Sequence, residues 1–262
     1  MVLLREHDGG GFEVFLVRRH GKSGFMAGAH VFPGGTLDDD DRGWTRVRGR
    51  AAPDAAELLG ETDAVLAVGL HVAAVRETFE EAGVLLADGS VAIDLTATRT
   101  RLHQGETFRA LAEEHDLTLR IDHLVPWARW VTPLVERRRY DARFVLARAP
   151  SGQEAAHDKI EVTAGEWLSP AGALEKWEAG EIQLPPPTLR TIEQLADLRS
   201  VDAAFARARE DAPPRVVMPH FVPGDRPALV LPGDPEHPVD ERRISGPSRF
   251  VLENGMFRST DP

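Results

Sequence analysis

From Asp63 to Ala82 apolar residues recur at helical spacing, with Val65, Leu66, Val68, Leu70, Val72 and Val75 supplying the buried faces and Gly83 placed to end the helix. The chain opens with a different pattern. Val2 to Leu4, a glycine-rich turn from His7 to Gly11 and the run Phe12 to Val17 predict a β-hairpin, and a start so abruptly inside a strand raises the expectation of residues before Met1. His30 to Gly35 predicts a short strand running into a tight loop. Between that loop and the long helix, residues 42–62 lose the pattern. They read as an irregular insert with a short helix near Ala55 to Leu59, closed by Gly60. It is expected to be a surface excursion, because long insertions cost little loop-closure entropy.

Downstream, Glu106 to His115 predicts an amphipathic helix, and Leu124 to Val131, Phe144 to Ala147 and Glu166 to Leu168 predict strands. Ser169-Pro170 is a cap and first position for a helix through Trp177, stopped by Gly180. After the break at Pro185 to Pro187, Leu189, Ile192, Leu195, Leu198 and Val201 fit one further helix. The tail from Pro213 is rich in Pro and Gly, with strand-like runs at Val216 to Met218 and Ala228 to Leu231. It ends in a hairpin over Phe250 to Phe257, turned by Asn254-Gly255. Strands and helices mixed in this way, without an internal repeat, predict an α/β core with a C-terminal extension.

Composition narrows the function classes. At 262 residues, 42% apolar and 28% charged, the chain has the makeup of a globular protein rather than a disordered one. No run approaches the roughly 18 apolar residues of a membrane helix, and no secretory leader is recognisable, so a cytoplasmic protein without a membrane partner is expected. With no cysteine, disulfides, thiolate metal sites and thiol nucleophiles are excluded. A formal charge of −11 argues against nucleic-acid binding. A small phosphorylated substrate would then need divalent cations and a few local arginines.

The end of the long helix carries the chemistry. Glu77, Glu80 and Glu81 stand at i, i+3 and i+4, so all three carboxylates project from one face. Like charges at this spacing repel by about 0.2–0.5 kcal/mol, and the negative helix end adds about 0.3–1 kcal/mol per exposed charge, so the arrangement calls for a cation. Hard oxygen donors in a cluster suit Mg²⁺ or Mn²⁺. A bare glutamate pair at a helix end is ordinarily a solvated acidic face. Arg76, three glutamates and Gly83 together at fixed offsets would occur by chance in about one such chain in a thousand.

The run Arg76-Glu77-Thr78-Phe79-Glu80-Glu81-Ala82-Gly83-Val84, downstream of Phe32-Pro33-Gly34-Gly35, resembles the Nudix box. That family pattern reads Gly, five residues, Glu, seven residues, then Arg-Glu-U-x-Glu-Glu-x-Gly-U with U aliphatic. The resemblance implies an α/β/α sandwich with a mixed sheet, Glu77, Glu80 and Glu81 as metal ligands and Arg76 as the residue that orients them. Two positions depart from it. Gly35 and Arg76 stand much further apart than the family's fourteen positions, so an insert interrupts the box and leaves Asp41 as the nearest counterpart of the early Glu; Thr78 replaces an aliphatic residue. An interrupted box is similar to the coenzyme A diphosphatase branch, the nudix hydrolase 19 type. Val31 to Asp41, Arg139 to Phe144 and Val251 to Gly255 also look like that branch.

The organisation this implies is a core over residues 1–170, with the insert at about 42–62, and a helical segment and extension over 171–262 packed on it. The implied reaction is hydrolysis of the pyrophosphate of coenzyme A or acyl-coenzyme A to 3′,5′-ADP and (acyl-)phosphopantetheine. The alternatives are cleavage of ADP-ribose, NADH or another nucleoside diphosphate derivative, and an idle binding module of the same fold. Gly34 and Gly35 would let backbone approach the diphosphate. Arg137, Arg138 and Arg139, the densest basic run, are candidates for a 3′-phosphate, although such a loop is often merely solvated. The general base is expected from a loop outside the helix, with Glu161 and Glu166 as candidates. The histidines show no transition-metal spacing, and Trp127, Trp130 and Trp167 read as packing. The expected partner is a small-molecule nucleotide, with a homodimer left open.

Overall fold

The computed structural model describes residues 1–7, 9–20, 28–89, 93–157 and 162–262. In chain order the elements begin with β1 (Val2–Glu6), β2 (Phe12–Arg19), β3 (His30–Val31), α1 (Ala52–Leu59) and α2 (Ala64–Ala82). Next come β4 (Ala87–Asp88), α3 (Leu95–His103), α4 (Phe108–Glu114), β5 (Thr118–Leu119), β6 (Val125–Val131), β7 (Asp141–Arg148) and β8 (Val162–Leu168). The chain continues through α5 (Pro170–Glu178), α6 (Pro186–Ala196), α7 (Val201–Glu210) and β9 (Val216–Val217). It closes with β10 (His220–Val222), β11 (Ala228–Val230), β12 (Arg249–Glu253) and β13 (Met256–Thr260).

The central sheet is mixed. β2 lies antiparallel to β1, β3 and β8, while β1 runs parallel to β7, β7 antiparallel to β6, and β6 parallel to β9. Strand alternation then divides the side chains between two layers. Leu3, Phe15 and Val17 face a core shared with α1, α2 and α4. Val2, Leu4, Val14 and Leu16 face a second core built from Ala173 and Trp177 of α5, Leu189 and Ile192 of α6 and Phe205 of α7. The result is an α/β/α sandwich in which the segment after residue 170 supplies one helical layer. Beyond it, β10 to β13 form a separate four-stranded antiparallel sheet. Its last turn has Asn254 and Gly255 at φ 51° and 80°, the left-handed pair that the Asn-Gly sequence predicts.

Three elements differ from the sequence reading. The insert is no simple surface excursion: α1 packs on α2, and Trp44, Ala55, Ala56 and Leu59 are buried in the same core, so the insert seals apolar surface that the helix would otherwise expose. α3 was not expected, because few of its positions are apolar; the local signal is Asp94, whose carboxylate caps the helix by accepting from Ala97 N at 3.0 Å. The helix expected through Val201 is two helices. α6 ends at Ala196, and Ser200 opens α7 by accepting from Ala203 N at 3.1 Å, a capping bond that a continuous helix would forgo.

Among the described residues no single helix is long and apolar enough to cross a membrane.

Candidate active site

α2 starts where Asp63 accepts from the N–H groups of Val65 and Leu66 at 2.8 and 3.1 Å. It stops at Gly83, which takes the left-handed conformation (φ 71°) and returns its N–H to Phe79 O at 3.0 Å. Val68, Val72, Val75 and Phe79 root the helix in the core, which fixes where its last turns present Arg76, Glu77, Glu80 and Glu81. The loop after β3 closes over these turns. Gly34 N–H donates to Glu81 Oε2 at 2.8 Å, and a Cβ on Gly35 would stand 2.5 Å from the Glu77 carboxylate oxygens, so only glycine permits this approach.

Arg76 is the hub. Its Nε and Nη2 donate to the two oxygens of Asp41, each at 2.9 Å. Nη1 donates to Glu77 Oε1 at 2.9 Å and Glu80 Oε2 at 3.0 Å, and Nη2 also reaches Thr36 O at 2.8 Å. Asp38 adds a fourth carboxylate at 3.5 Å. Asp41 is 1% exposed and Arg76 6%. Burial opposes the guanidinium charge, but the hydrogen bond to Asp41 and the charges of Glu77, Asp41 and Glu80 outweigh it and hold the pKa of Arg76 above its ordinary value. Arg76 thus sits among Asp38, Asp41, Glu77 and Glu80, with Glu81 beside them, so that carboxylates from the loop and from the helix converge in one place.

These hard oxygen donors fit a divalent cation in chemistry. Among the described residues, however, no three carboxylate or imidazole side chains form a group that would hold an ion as they stand. The fit therefore rests on donor type and charge. Asp38, Asp41 and Arg99, all part of the network, were not singled out as site residues from sequence. Asp41 was noted only as the nearest counterpart of the early Glu, and its neighbours in the acidic run 38–41 masked it. Arg99, on the unexpected α3, donates to Glu80 O and Ala156 O, each at 2.8 Å, and closes the end of α2.

A model of the NUDT19 Nudix domain matches residues 51–195, more than half of the chain. The chain belongs to the NUDT19 Nudix family. It is 32% identical to the human protein named acyl-coenzyme A diphosphatase NUDT19, over 73% of this chain and 62% of that protein. The Xenopus laevis protein of the same name is 27% identical, over 73% of this chain and 61% of that one. The chain thus spans about three fifths of the length of these relatives. A solved structure of a Nudix hydrolase from Alicyclobacillus acidocaldarius superposes with a TM-score of 0.63 at 24% identity, covering 78% of this chain and 92% of that one, which shows the shared fold.

The remaining Nudix site candidates fall in different places. Glu161 lies outside the described residues. The structure does not bring Glu166 to the Arg76 cluster. Glu166 pairs in register with Leu16, on the face of the sheet covered by α5 to α7, while α2 packs on the other face. Its carboxylate accepts from Lys176 Nζ at 2.6 Å and lies 3.8 Å from His30 Nε2. Arg137, Arg138 and Arg139 are exposed on the loop joining β6 to β7, where Arg139 Nε donates to Thr132 O at 3.2 Å. That loop hangs from the end of the sheet at which β1 and β7 begin, the end nearest the Gly34-Gly35 loop.

Proposed function

We propose that this Nudix protein hydrolyses the pyrophosphate bond of coenzyme A or an acyl-coenzyme A, giving 3′,5′-ADP and (acyl-)phosphopantetheine. The observation that carries the reading is the cluster of carboxylates gathered around buried Arg76, against the Gly34-Gly35 loop. The names of the human and Xenopus relatives support the choice of substrate. Glu77, Glu80 and Glu81 would hold Mg²⁺ or Mn²⁺. Such ions supply charge neutralisation at phosphate oxygens and lower the pKa of the attacking water.

The chain's own residues do the rest. Gly34 and Gly35 leave the loop bare, so that a diphosphate approaches backbone rather than side chains. Arg76, itself fixed by Asp41, keeps Glu77 and Glu80 turned the same way. A carboxylate from outside the helix, Glu161, takes the proton of the attacking water. Incubation with coenzyme A, NADH, ADP-ribose and nucleoside triphosphates, with Mg²⁺ or Mn²⁺ and product masses read out, tests the reading. Coenzyme A is expected to be cleaved fastest and chelation to stop the reaction. Faster cleavage of ADP-ribose or NADH would transfer the assignment to those compounds.

A further inference from the structure

The loop joining β6 to β7 is pinned at its base and carries an apolar tip. Tyr140 N–H donates to Thr132 Oγ1 at 2.9 Å and Thr132 N–H to Tyr140 O at 2.9 Å, so the two ends are held together. Above them Glu136 N–H returns to Pro133 O at 3.2 Å, which closes a turn with Leu134 and Val135 at its two central positions. Such positions ordinarily take Gly, Asn, Asp or Ser. Here two adjacent aliphatic side chains are 70% and 62% exposed, more than any other large hydrophobic among the described residues, and neither joins a hydrophobic core. A single exposed aliphatic is ordinary, but two held side by side in solvent by a hydrogen-bonded turn call for a partner.

The charge beside the tip narrows what that partner is. Residues 132–140 hold three arginines against one acid, Glu136, in a chain whose formal charge is −11. Exposed Arg46, Arg215 and Arg226 elsewhere are each matched to a carboxylate. Arg137 and Arg138 are exposed and have no carboxylate partner among the described residues. Arg139 turns back, its Nη2 lying 3.6 Å from Met218 Sδ, and Tyr140 is 40% exposed at the base. A second copy of this acidic chain has little to offer such a loop beyond scattered acids. The loop is also far shorter than the about 20–30 residues a side that a stable protein interface uses. A bilayer with anionic headgroups matches it in both respects, since a small apolar tip can enter the acyl boundary while guanidiniums pair with phosphates and an aromatic ring stays at headgroup level.

We infer that the β6–β7 loop docks the protein on an anionic lipid surface, with Leu134 and Val135 inserted and Arg137 and Arg138 at the headgroups. This departs from the expectation of no membrane partner. That expectation rested on the lack of a spanning helix and a leader, and surface docking needs neither. The loop lies at the end of the sheet nearest Gly34-Gly35, so docking would hold that loop towards the lipid, whichever diphosphate is cleaved.

Co-sedimentation of the full chain with vesicles of phosphatidylcholine, with or without phosphatidylserine, tests the inference. The variants are Leu134→Ser/Val135→Ser and Arg137→Gln/Arg138→Gln, with thermal melting as the check on folding. The unaltered protein is expected to bind the phosphatidylserine vesicles at least about tenfold more tightly than the neutral ones, and less tightly as salt is raised. Each double variant should lose at least about tenfold in affinity for the anionic vesicles. No binding by the unaltered protein, or equal binding to both kinds of vesicle, would overturn the inference. So would undiminished binding by the serine variant, because arginines that merely hold phosphate would not register the loss of the aliphatic tip. A dimer in size-exclusion chromatography that the serine variant abolishes, with no vesicle binding, would give the tip to a second copy of the chain instead.

Discussion

Among the described residues two arginines are buried, one in each helical layer, and they are kept there by opposite means. Arg190 of α6 is 0% exposed and is held largely by neutral groups: Nη1 donates to Ser245 O at 3.0 Å, Nη2 to Pro247 O at 2.6 Å and Ser259 Oγ at 3.0 Å, and Phe250 lies under the guanidinium. Glu193, 3.0 Å from Nε, is its one ion-pair partner among the described residues. Burial lowers the pKa of Arg190, and the same desolvation raises that of Glu193. Arg76 is surrounded by acid, and its pKa moves the other way. A buried guanidinium matched to carbonyls fastens one segment to another, here the 245–247 loop to α6. One gripped by several carboxylates instead gathers their oxygens in one place, here around the end of α2.

Breaking the first arrangement is expected to give the largest effect. Arg190→Met removes the hydrogen bonds to Ser245 O, Pro247 O and Ser259 Oγ and takes the ion-pair partner from a desolvated Glu193, so unfolding free energy should fall by about 3–5 kcal/mol, read from denaturant melts. Activity per folded molecule should stay near that of the unaltered protein. A melt within about 0.5 kcal/mol of the original would show that the carbonyl cage contributes only what any surface contact does.

Removing charge from the second arrangement should act on turnover instead. Glu80→Gln or Glu81→Gln is expected to lower the rate of pyrophosphate hydrolysis at least about a hundredfold, or about 2.7 kcal/mol, by taking charge from the proposed cation site. Without divalent ions the melting temperature should hold or rise, because each substitution relieves like-charge repulsion. Near-normal turnover in both variants would end the proposed role of α2.

How much of this was readable beforehand differs between the two places. The glutamates of α2 were legible as a cluster because they are near neighbours in sequence whose spacing, i, i+3 and i+4, is a property of the helix alone. Asp41 was visible only as a counting argument: its bond to Arg76 crosses 35 positions of sequence, and an acidic run surrounds it. Arg190 gave no sign, since its partners are carbonyls of residues 245 and 247, and a carbonyl carries no sequence signature. Glu166 shows the reverse case. Its place in the sequence made it a candidate, but strand alternation puts it on the face of the sheet away from α2, and the pairing register that decides this is set by β2. The insert read as a surface excursion because its short helix carries only small apolar residues beside Leu59, and Trp44 stands apart from it in the sequence, although all are buried.

A third buried basic group sharpens the point that acid supply decides. His71 sits on α2 five positions before Arg76, with Nδ1 2.8 Å from Ala67 O and Nε2 3.2 Å from Arg50 Nη1. Burial lowers its pKa from 6.5 to about 4, the Ala67 carbonyl opposing and Arg50 assisting. The native state thus holds His71 neutral, while the unfolded chain binds a proton below about pH 6.5. Unfolded molecules carry more protons between pH 6.5 and 4, so stability rises with pH across that window and is lost as pH falls through it. At pH 5 the loss from this group should be about 2 kcal/mol relative to pH 7, and His71→Gln should flatten that part of the stability profile. An unchanged slope between pH 7 and 5 in the variant would assign the acid sensitivity to other groups.

The smallest effect is expected from the arginines that are not buried at all. Arg137, Arg138 and Arg139 stand in water on the β6–β7 loop, so a phosphate that meets them keeps much of its hydration and is screened by salt over about 8–10 Å. Coenzyme A and dephospho-coenzyme A share the cleaved bond and differ in the 3′-phosphate, which makes their ratio of kcat/KM a direct measure of that contact. An exposed charge-assisted contact should give about a tenfold preference for coenzyme A, near 1.4 kcal/mol, at the low end of what buried guanidinium–phosphate pairs supply. The preference should shrink as salt is raised and should fall towards unity when the three arginines are changed to Gln together, with the rate on dephospho-coenzyme A unaffected. Equal efficiency on the two compounds in the unaltered protein would remove the 3′-phosphate from this loop. A preference that survives both high salt and the triple substitution would locate it at a desolvated guanidinium instead, one held in the manner of Arg76 or Arg190 rather than out in solvent.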